Sequence, residues 1–230
     1  MNLEVKNLKV TRGRNEILKG VDCTFKEGKI TCILGRNGCG KTTLVKELVR
    51  LYAPKVSMSY VAQDTFGQLN LSVYDTVAIG RYNKSRFFSG PTPEDVSKID
   101  AALELMELKG KEKRIFDTLS GGEKQRCMAA RAICQDPEWM IFDEPSSNLD
   151  AVHSRKITSA VKALNGEGKS VILVMHDINE ASRVADEFVL MKDGLVYEVC
   201  GKLNAQNLSL VYEVEFGTAD VNGQPFFFVK

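Results

Sequence analysis

Residues 35–43 read Gly-Arg-Asn-Gly-Cys-Gly-Lys-Thr-Thr, and nothing else in the 230 residues restricts the fold as tightly. Gly35 to Thr42 fits G-x-x-x-x-G-K-[ST], a phosphate-binding loop, which requires a strand before it and a helix after it. Both are present in outline. Ile30-Thr31-Cys32-Ile33-Leu34 is a short apolar run, and Leu44, Val45, Leu48 and Leu51 recur at helical spacing. Gly35, Gly38 and Gly40 let the backbone curl so that N–H groups at Arg36, Asn37, Cys39 and Thr43 turn inward as an anion nest. The helix beginning near Lys41 adds its positive end. Lys41 supplies a charge for the β/γ-phosphates, and the Thr42 hydroxyl suits Mg²⁺. A glycine-rich turn with no phosphate is the competing reading, and the strand, the Lys-Thr pair and the helix in order count against it. A nucleotide site alone does not name a function.

The rest of the composition narrows the class. The hydrophobic fraction is 43% and the charged fraction 27%, ordinary for a soluble α/β chain of this length. Net charge is +1 with no basic block, so nucleic acid is not expected as a partner. The six cysteines form no C-x-x-C pair, and Cys39 lies inside the phosphate loop, where a disulfide would obstruct a nucleotide. A reducing compartment is expected. The N-terminus lacks a signal-peptide pattern, and no apolar stretch is long enough to span a membrane.

Along the chain, residues 2–34 are strand-like, with turn signals at Thr11–Asn15 and Glu27-Gly28. A helix to about Tyr52 follows, and Val56–Val61 reads as a strand ending near Gln63. Residues 69–118 differ. Ser72–Ile79 looks helical, Ser85–Pro93 a loop, and Thr92-Pro93-Glu94-Asp95 opens another helix with a cap, a proline and two acids. This predicts one domain over 1–230, with a nucleotide core (1–68 and 119–230) and an inserted helical subdomain (69–118). Beyond Leu119, a helix from about Glu123 to Cys134 alternates with strands at Trp139–Phe142 and Val171–Met175. A helix carrying Ile157, Ala160, Val161 and Leu164 on one face, another over Ile178–Ala185 and a hairpin around Lys192-Asp193-Gly194 complete the pattern. Alternation of this kind predicts a mainly parallel sheet covered on both faces.

Two further constellations carry chemistry. Trp139-Met140-Ile141-Phe142-Asp143-Glu144 is an apolar strand ending in two carboxylates. Asp143 suits the Mg²⁺ shell and Glu144 the attacking water, as general base or orienter. Ser120-Gly121-Gly122-Glu123 has the spacing of a helix capping box, but the paired glycines also expose backbone N–H groups to a ligand, a second phosphate surface in one chain.

The order of phosphate loop, LSGGEKQ and WMIFDE resembles that of ATP-binding cassette (ABC) ATPases, over nearly the whole chain. The resemblance implies the P-loop NTPase fold of that family, with N-terminal antiparallel strands and an inserted helical subdomain. It makes Gln63 the Q-loop glutamine, a Mg²⁺ and water contact. It makes Ser147-Asn148-Leu149-Asp150 the D-loop, with Asp150 among the nucleotide contacts, and His176 the switch histidine at the γ-phosphate. His153 fits no motif and reads as a surface residue. In the family the LSGGEKQ segment acts in trans, so the resemblance implies a homodimer or paralogue dimer that closes on ATP. Transmembrane permease subunits, an extracytoplasmic substrate-binding protein and a cytoplasmic location on the inner face of the membrane follow from it.

Three softer segments resemble the importer branch for iron–siderophore, haem and cobalamin compounds: VAIGRYNKSRFF (77–88), HDINEASRVADEFVLMKDG (176–194), and the tail with LVYEVEF and GQPFFFV as closing strands. Manganese or zinc import, export, and an ABC ATPase acting on nucleic acid or the ribosome are the alternatives. Two departures stand out. Arg12 occupies the region where the family places an adenine-stacking aromatic; a guanidinium stacks on a base too, and a solvated loop arginine is the other reading. Only 21 residues separate Lys41 from Gln63, so the antiparallel arm is short.

Overall fold

The computed structural model describes residues 1–63, 69–82, 90–145 and 151–230, with backbone alone for 151–153. The expected D-loop with Asp150, most of the 85–93 loop and the His153 side chain lie outside the described residues.

Strands β1 (Leu3–Arg12) and β2 (Asn15–Phe25) pair antiparallel, joined by a tight turn at Gly13-Arg14. Six strands make the central sheet. They are β3 (Ile30–Leu34), β4 (Met58–Val61), β5 (Trp139–Asp143), β6 (Ser170–Val174), β7 (Glu187–Lys192) and β8 (Leu195–Cys200). Their spatial order is β4-β5-β6-β3-β7-β8, all parallel except the β7–β8 hairpin. This bears out the expected sheet. Alternation along the strands divides the core. Cys32, Leu34, Met140, Phe142, Val171 and Leu173 face one layer. Ile33, Trp139, Ile141, Ile172 and Val174 face the other, where Leu3, Leu18 and Phe25 of the β1–β2 pair close it.

Helix α1 (Lys41–Tyr52) follows the phosphate loop and buries Leu44, Val45 and Leu48 in that second layer. The opposite layer holds α2 (Val73–Ala78), α3 (Pro93–Leu105), α4 (Gly121–Ile133), α5 (Ala151–Gly166) and α6 (Ile178–Val184). Helix α3 starts as its sequence predicts, with Thr92 and Asp95 forming a complete capping box and Pro93 in the first turn. Helix α4 packs against both α2 and α3. The V-x-x-G-R-Y stretch explains part of that packing. A Cβ on Gly80 would lie 2.3 Å from the Arg131 carbonyl oxygen, so only glycine lets the chain sit this close to α4. Arg81 then bonds Asp95 at 2.8 Å and the Cys134 carbonyl at 3.1 Å.

Two expectations need correction. Helix α4 begins at Gly121, not Glu123, because Ser120 is its N-cap and both glycines lie in its first turn. The LVYEVEF segment does not start a strand. Leu210-Val211-Tyr212 ends helix α7 (Ala205–Tyr212), and Val211 is fully buried on its inner face. Strand β9 (Phe216–Val221) begins only at Phe216 and pairs with β10 (Gln224–Val229).

Candidate functional site

The site lies where parallel strands end. The phosphate loop follows β3, Gln63 follows β4, Asp143 and Glu144 close β5, and His176 follows β6. Open α/β sheets gather ligands at this edge. A cavity of about 390 Å³ opens there, lined by Arg12, Ile17, Asn37, Gly38, Gly40, Lys41, Thr42, Thr43, Gln63, Glu144 and His176. Ten of these eleven were expected from sequence. Ile17, the apolar wall residue, was not, because one isoleucine in a strand carries no signal of its own.

Helix α1 is built to leave its N-terminus open. Gly40 is the N-cap at φ 105°, no side chain caps the helix, and its first turn holds no acid. The leading N–H groups and the positive end therefore remain available to an anion. The loop is also tightly held. A Cβ on Gly35 would fall 2.3 Å from the Met191 carbonyl oxygen, and one on Gly40 would fall 2.8 Å from Leu18 Cδ2. Lys41 is 4% exposed, and its Nζ donates to the carbonyls of Gly35 at 2.8 Å and Arg36 at 3.1 Å. These bonds fix the ammonium at the loop's centre.

Three loop residues behave differently from the rest. Gly35 and Arg36 meet the site through these carbonyls, while the Arg36 side chain turns away to Glu213. Cys39 buries its thiol in the core, where burial pushes its pKa up. Cys39 does not line the cavity, and its expected inward N–H instead donates to the Arg36 carbonyl at 3.3 Å, while its own carbonyl accepts from the Gly194 N–H at 3.2 Å.

Asp143 and Glu144 separate as expected, but more sharply than strand alternation requires. Asp143 is fully buried. Its Oδ1 accepts from Thr42 Oγ1 at 3.1 Å and its Oδ2 from Tyr60 Oη at 3.0 Å. Burial pushes its pKa up, and the Tyr60 and Thr42 bonds oppose that push. Glu144 lies beyond the strand at φ 54°, with its N–H on the Val174 carbonyl at 3.0 Å. This left-handed turn, costly for a non-glycine residue, throws its carboxylate into the cavity. There His176 Nε2 lies 2.5 Å from Oε1, and Gln63 Nε2 donates to Oε2.

Tyr60 is the polar residue that sequence reasoning missed. Its signal was a hydroxyl in an apolar strand three residues before Gln63. The β4–β5 register, which sets Tyr60 opposite Ile141, was not readable.

A Mg²⁺ ion fits these donors. Thr42 and Asp143 offer a hydroxyl and a carboxylate side by side, and Mg²⁺ uses one or two protein oxygens together with phosphate and water. Among the described residues no cluster of three His, Cys, Asp or Glu could hold a metal without such help.

Ser120, Gly121, Gly122 and Glu123 do not line the cavity. Their capping box is complete: Glu123 Oε2 accepts from Ser120 N–H at 2.9 Å, and Ser120 Oγ from Glu123 N–H at 3.3 Å. Lys111, 2.5 Å from Glu123 Oε1, together with the cap bond holds that carboxyl down at about 2. The Glu123 side chain is therefore committed to the helix end.

The sequence pattern of the ABC transporter family matches residues 18–147, more than half of the chain. The chain is 34% identical to the petrobactin import ATP-binding protein YclP of Bacillus subtilis over 217 residues, covering 84% of each protein. It is 30% identical to the Fe(3+) ions import ATP-binding protein FbpC of Photobacterium profundum over 213 residues, 84% of this chain and 60% of that protein. Among solved structures it superposes on a chain of a transporter assigned to the metal-chelate type, in an inward-facing conformation. That match has a TM-score of 0.83 at 25% identity and covers 97% of this chain and 94% of the other.

Proposed function

From the premise that this chain belongs to the ABC transporter family, as an ATP-binding subunit that hydrolyses ATP, we propose that it drives an import system whose cargo is an iron chelate or related metal compound. The observation that carries the ATPase chemistry is the convergence of Lys41, Thr42, Gln63, Glu144 and His176 on one cavity. The names of the two import relatives and of the metal-chelate transporter support the cargo.

In this reading the loop N–H groups, the α1 N-terminus and Lys41 hold the triphosphate, with developing negative charge stabilised by fixed donors. Thr42, Asp143 and Gln63 would hold Mg²⁺, which neutralises phosphate charge when bound. Tyr60 fixes the second Asp143 oxygen, so the carboxylate cannot swing away from Thr42. Glu144 orients the attacking water and accepts its proton, and His176 keeps the Glu144 carboxylate aimed at the reacting phosphate.

The capped Ser120–Glu123 turn lies off the cavity, which supports a site completed by a second copy or a paralogue. The helical segment 69–118 is the proposed dock for membrane permease subunits, which places the chain on the cytoplasmic face of a membrane. Among the described residues no helix is long and apolar enough to cross one.

The test is cellular. Uptake of a ferric chelate should fall in cells carrying Glu144→Gln, while the variant protein still co-purifies with a permease from detergent extracts. Unchanged ferric-chelate uptake with lost manganese or zinc uptake would reassign the cargo.

A further inference from the structure

The last 26 residues, 205–230, touch the site's scaffold at two separate places. The first is the phosphate loop. Glu213 ends helix α7 in the left-handed conformation, at φ 58°. That position ordinarily favours glycine. A glutamate there does something glycine could not: its carboxylate pairs with Arg36 of the phosphate loop through Oε2. Its Oε1 lies 3.0 Å from Lys192 Nζ, and Lys192 also donates to the Leu210 carbonyl at 3.0 Å. The adjacent Tyr212 enters the core, packs edge-on against Phe216, and has its hydroxyl buried with no hydrogen bond of good geometry among the described residues.

The second contact is with the chain just after His176. Asn179 in α6 clamps strand β10 with both ends of its amide. Its Nδ2 donates to the Phe227 carbonyl at 2.9 Å, and its Oδ1 accepts from the Phe227 N–H at 2.8 Å. Leu208, Phe216 and Phe227 form a small core that joins the two contacts into one unit.

We propose that residues 205–230 are a brace that fixes the phosphate loop relative to the segment carrying His176. Glu213 positions the loop through Arg36, and Asn179 positions the histidine side through Phe227. Neither touches the nucleotide. The inference rests on the ATP reading of the cavity.

Two substitutions at 213 separate positioning from a merely structural cap. Glu213→Gly suits the left-handed backbone and should melt at the same temperature as wild type or higher. If Glu213 positions the loop, this variant nevertheless binds ATP more weakly. A change of about threefold is in scale for a half-exposed ion pair. Glu213→Gln should show the same weakening. Asn179→Ala should lower kcat with KM for ATP unchanged, since it acts on the His176 side. Wild-type binding measured alongside separates the possible failures. If wild type itself does not bind ATP, the nucleotide reading falls and the brace with it. If wild type binds ATP and both Glu213 variants bind it equally well, the brace alone is overturned.

Discussion

His176 Nε2 lies 2.5 Å from Oε1 of Glu144, and Gln63 donates to the other oxygen of the same carboxylate. Glu144, the one acid that lines the cavity among the described residues, is thus held at both oxygens by residues from two other strand ends. Glu144→Gln keeps the shape and removes the charge. It should bind ATP normally and lose hydrolysis by about 10²–10⁴-fold, the usual worth of a positioned base. Steady-state phosphate release with a parallel ATP titration checks this, and near-normal turnover would exclude the role.

Asp143 is tested through its neighbour. Tyr60→Phe removes one hydrogen bond to a buried carboxylate and leaves the ring in place. A bond of that kind is worth about 1.5–3 kcal/mol. The Mg²⁺ concentration for half-maximal ATPase should rise about tenfold or more, while binding of metal-free ATP stays the same. An unchanged Mg²⁺ requirement would show that Thr42 alone holds the carboxylate in place.

The chemistry was more legible in the sequence than the scaffold that aims it. The phosphate loop, Asp143, Glu144 and His176 are set by local pattern: a motif of fixed spacing, or a polar residue closing an apolar strand. Helix α3 was legible for the same reason, since Thr92, Pro93 and Asp95 act within one turn. Tyr60, Glu213 and Asn179 were not, because each matters through a partner 83, 177 or 48 positions away. The tail misled for a related reason. Val211 and Tyr212 are β-prone residues, and burial on the inner face of α7 overrides that preference.

Arg12, the last residue of β1, lines the same cavity as Glu144. Stacking on a base contributes about 1–3 kcal/mol. Arg12→Ala should therefore weaken ATP and ADP binding alike, by about fivefold or more, and leave the affinity for inorganic triphosphate unchanged. Equal weakening of all three ligands would make Arg12 a general charge contact and not an adenine platform.

Glu123 ties the start of α4 to Lys111, and its carboxyl is held down at about 2. A group with a depressed folded pKa contributes its full stability above its unfolded value, near 4.3, and loses it as pH falls towards 2. Glu123→Gln should therefore be less stable than wild type at pH 7, by about 1 kcal/mol as for a lost cap. The difference should shrink steadily below pH 4. Urea melts of both proteins at pH 7, 4 and 3 measure it, and a gap that stays constant with pH would assign the effect to shape and not charge.

Gly35 and Gly40 bracket the phosphate loop and should fail in different ways when replaced. At Gly35 a Cβ would meet the Met191 carbonyl oxygen at 2.3 Å, a backbone atom of β7 that cannot move without disturbing the sheet. Gly35→Ala should cost about 3 kcal/mol, the upper end for overpacking, and lower the melting temperature visibly. At Gly40 the nearest atom is the Leu18 Cδ2 at 2.8 Å, the tip of a side chain that can rotate, and the strain lies in φ 105°. Gly40→Ala should cost less stability, about 1–2 kcal/mol for a side chain forced into positive φ. It also shifts the N-cap that presents the first N–H groups of α1, so its ATP affinity should fall by more than its stability does. Melting curves and ATP titrations on the two variants decide the point. Gly35→Ala more stable than Gly40→Ala would mean that the loop and β7 are not packed as closely as the Met191 contact requires.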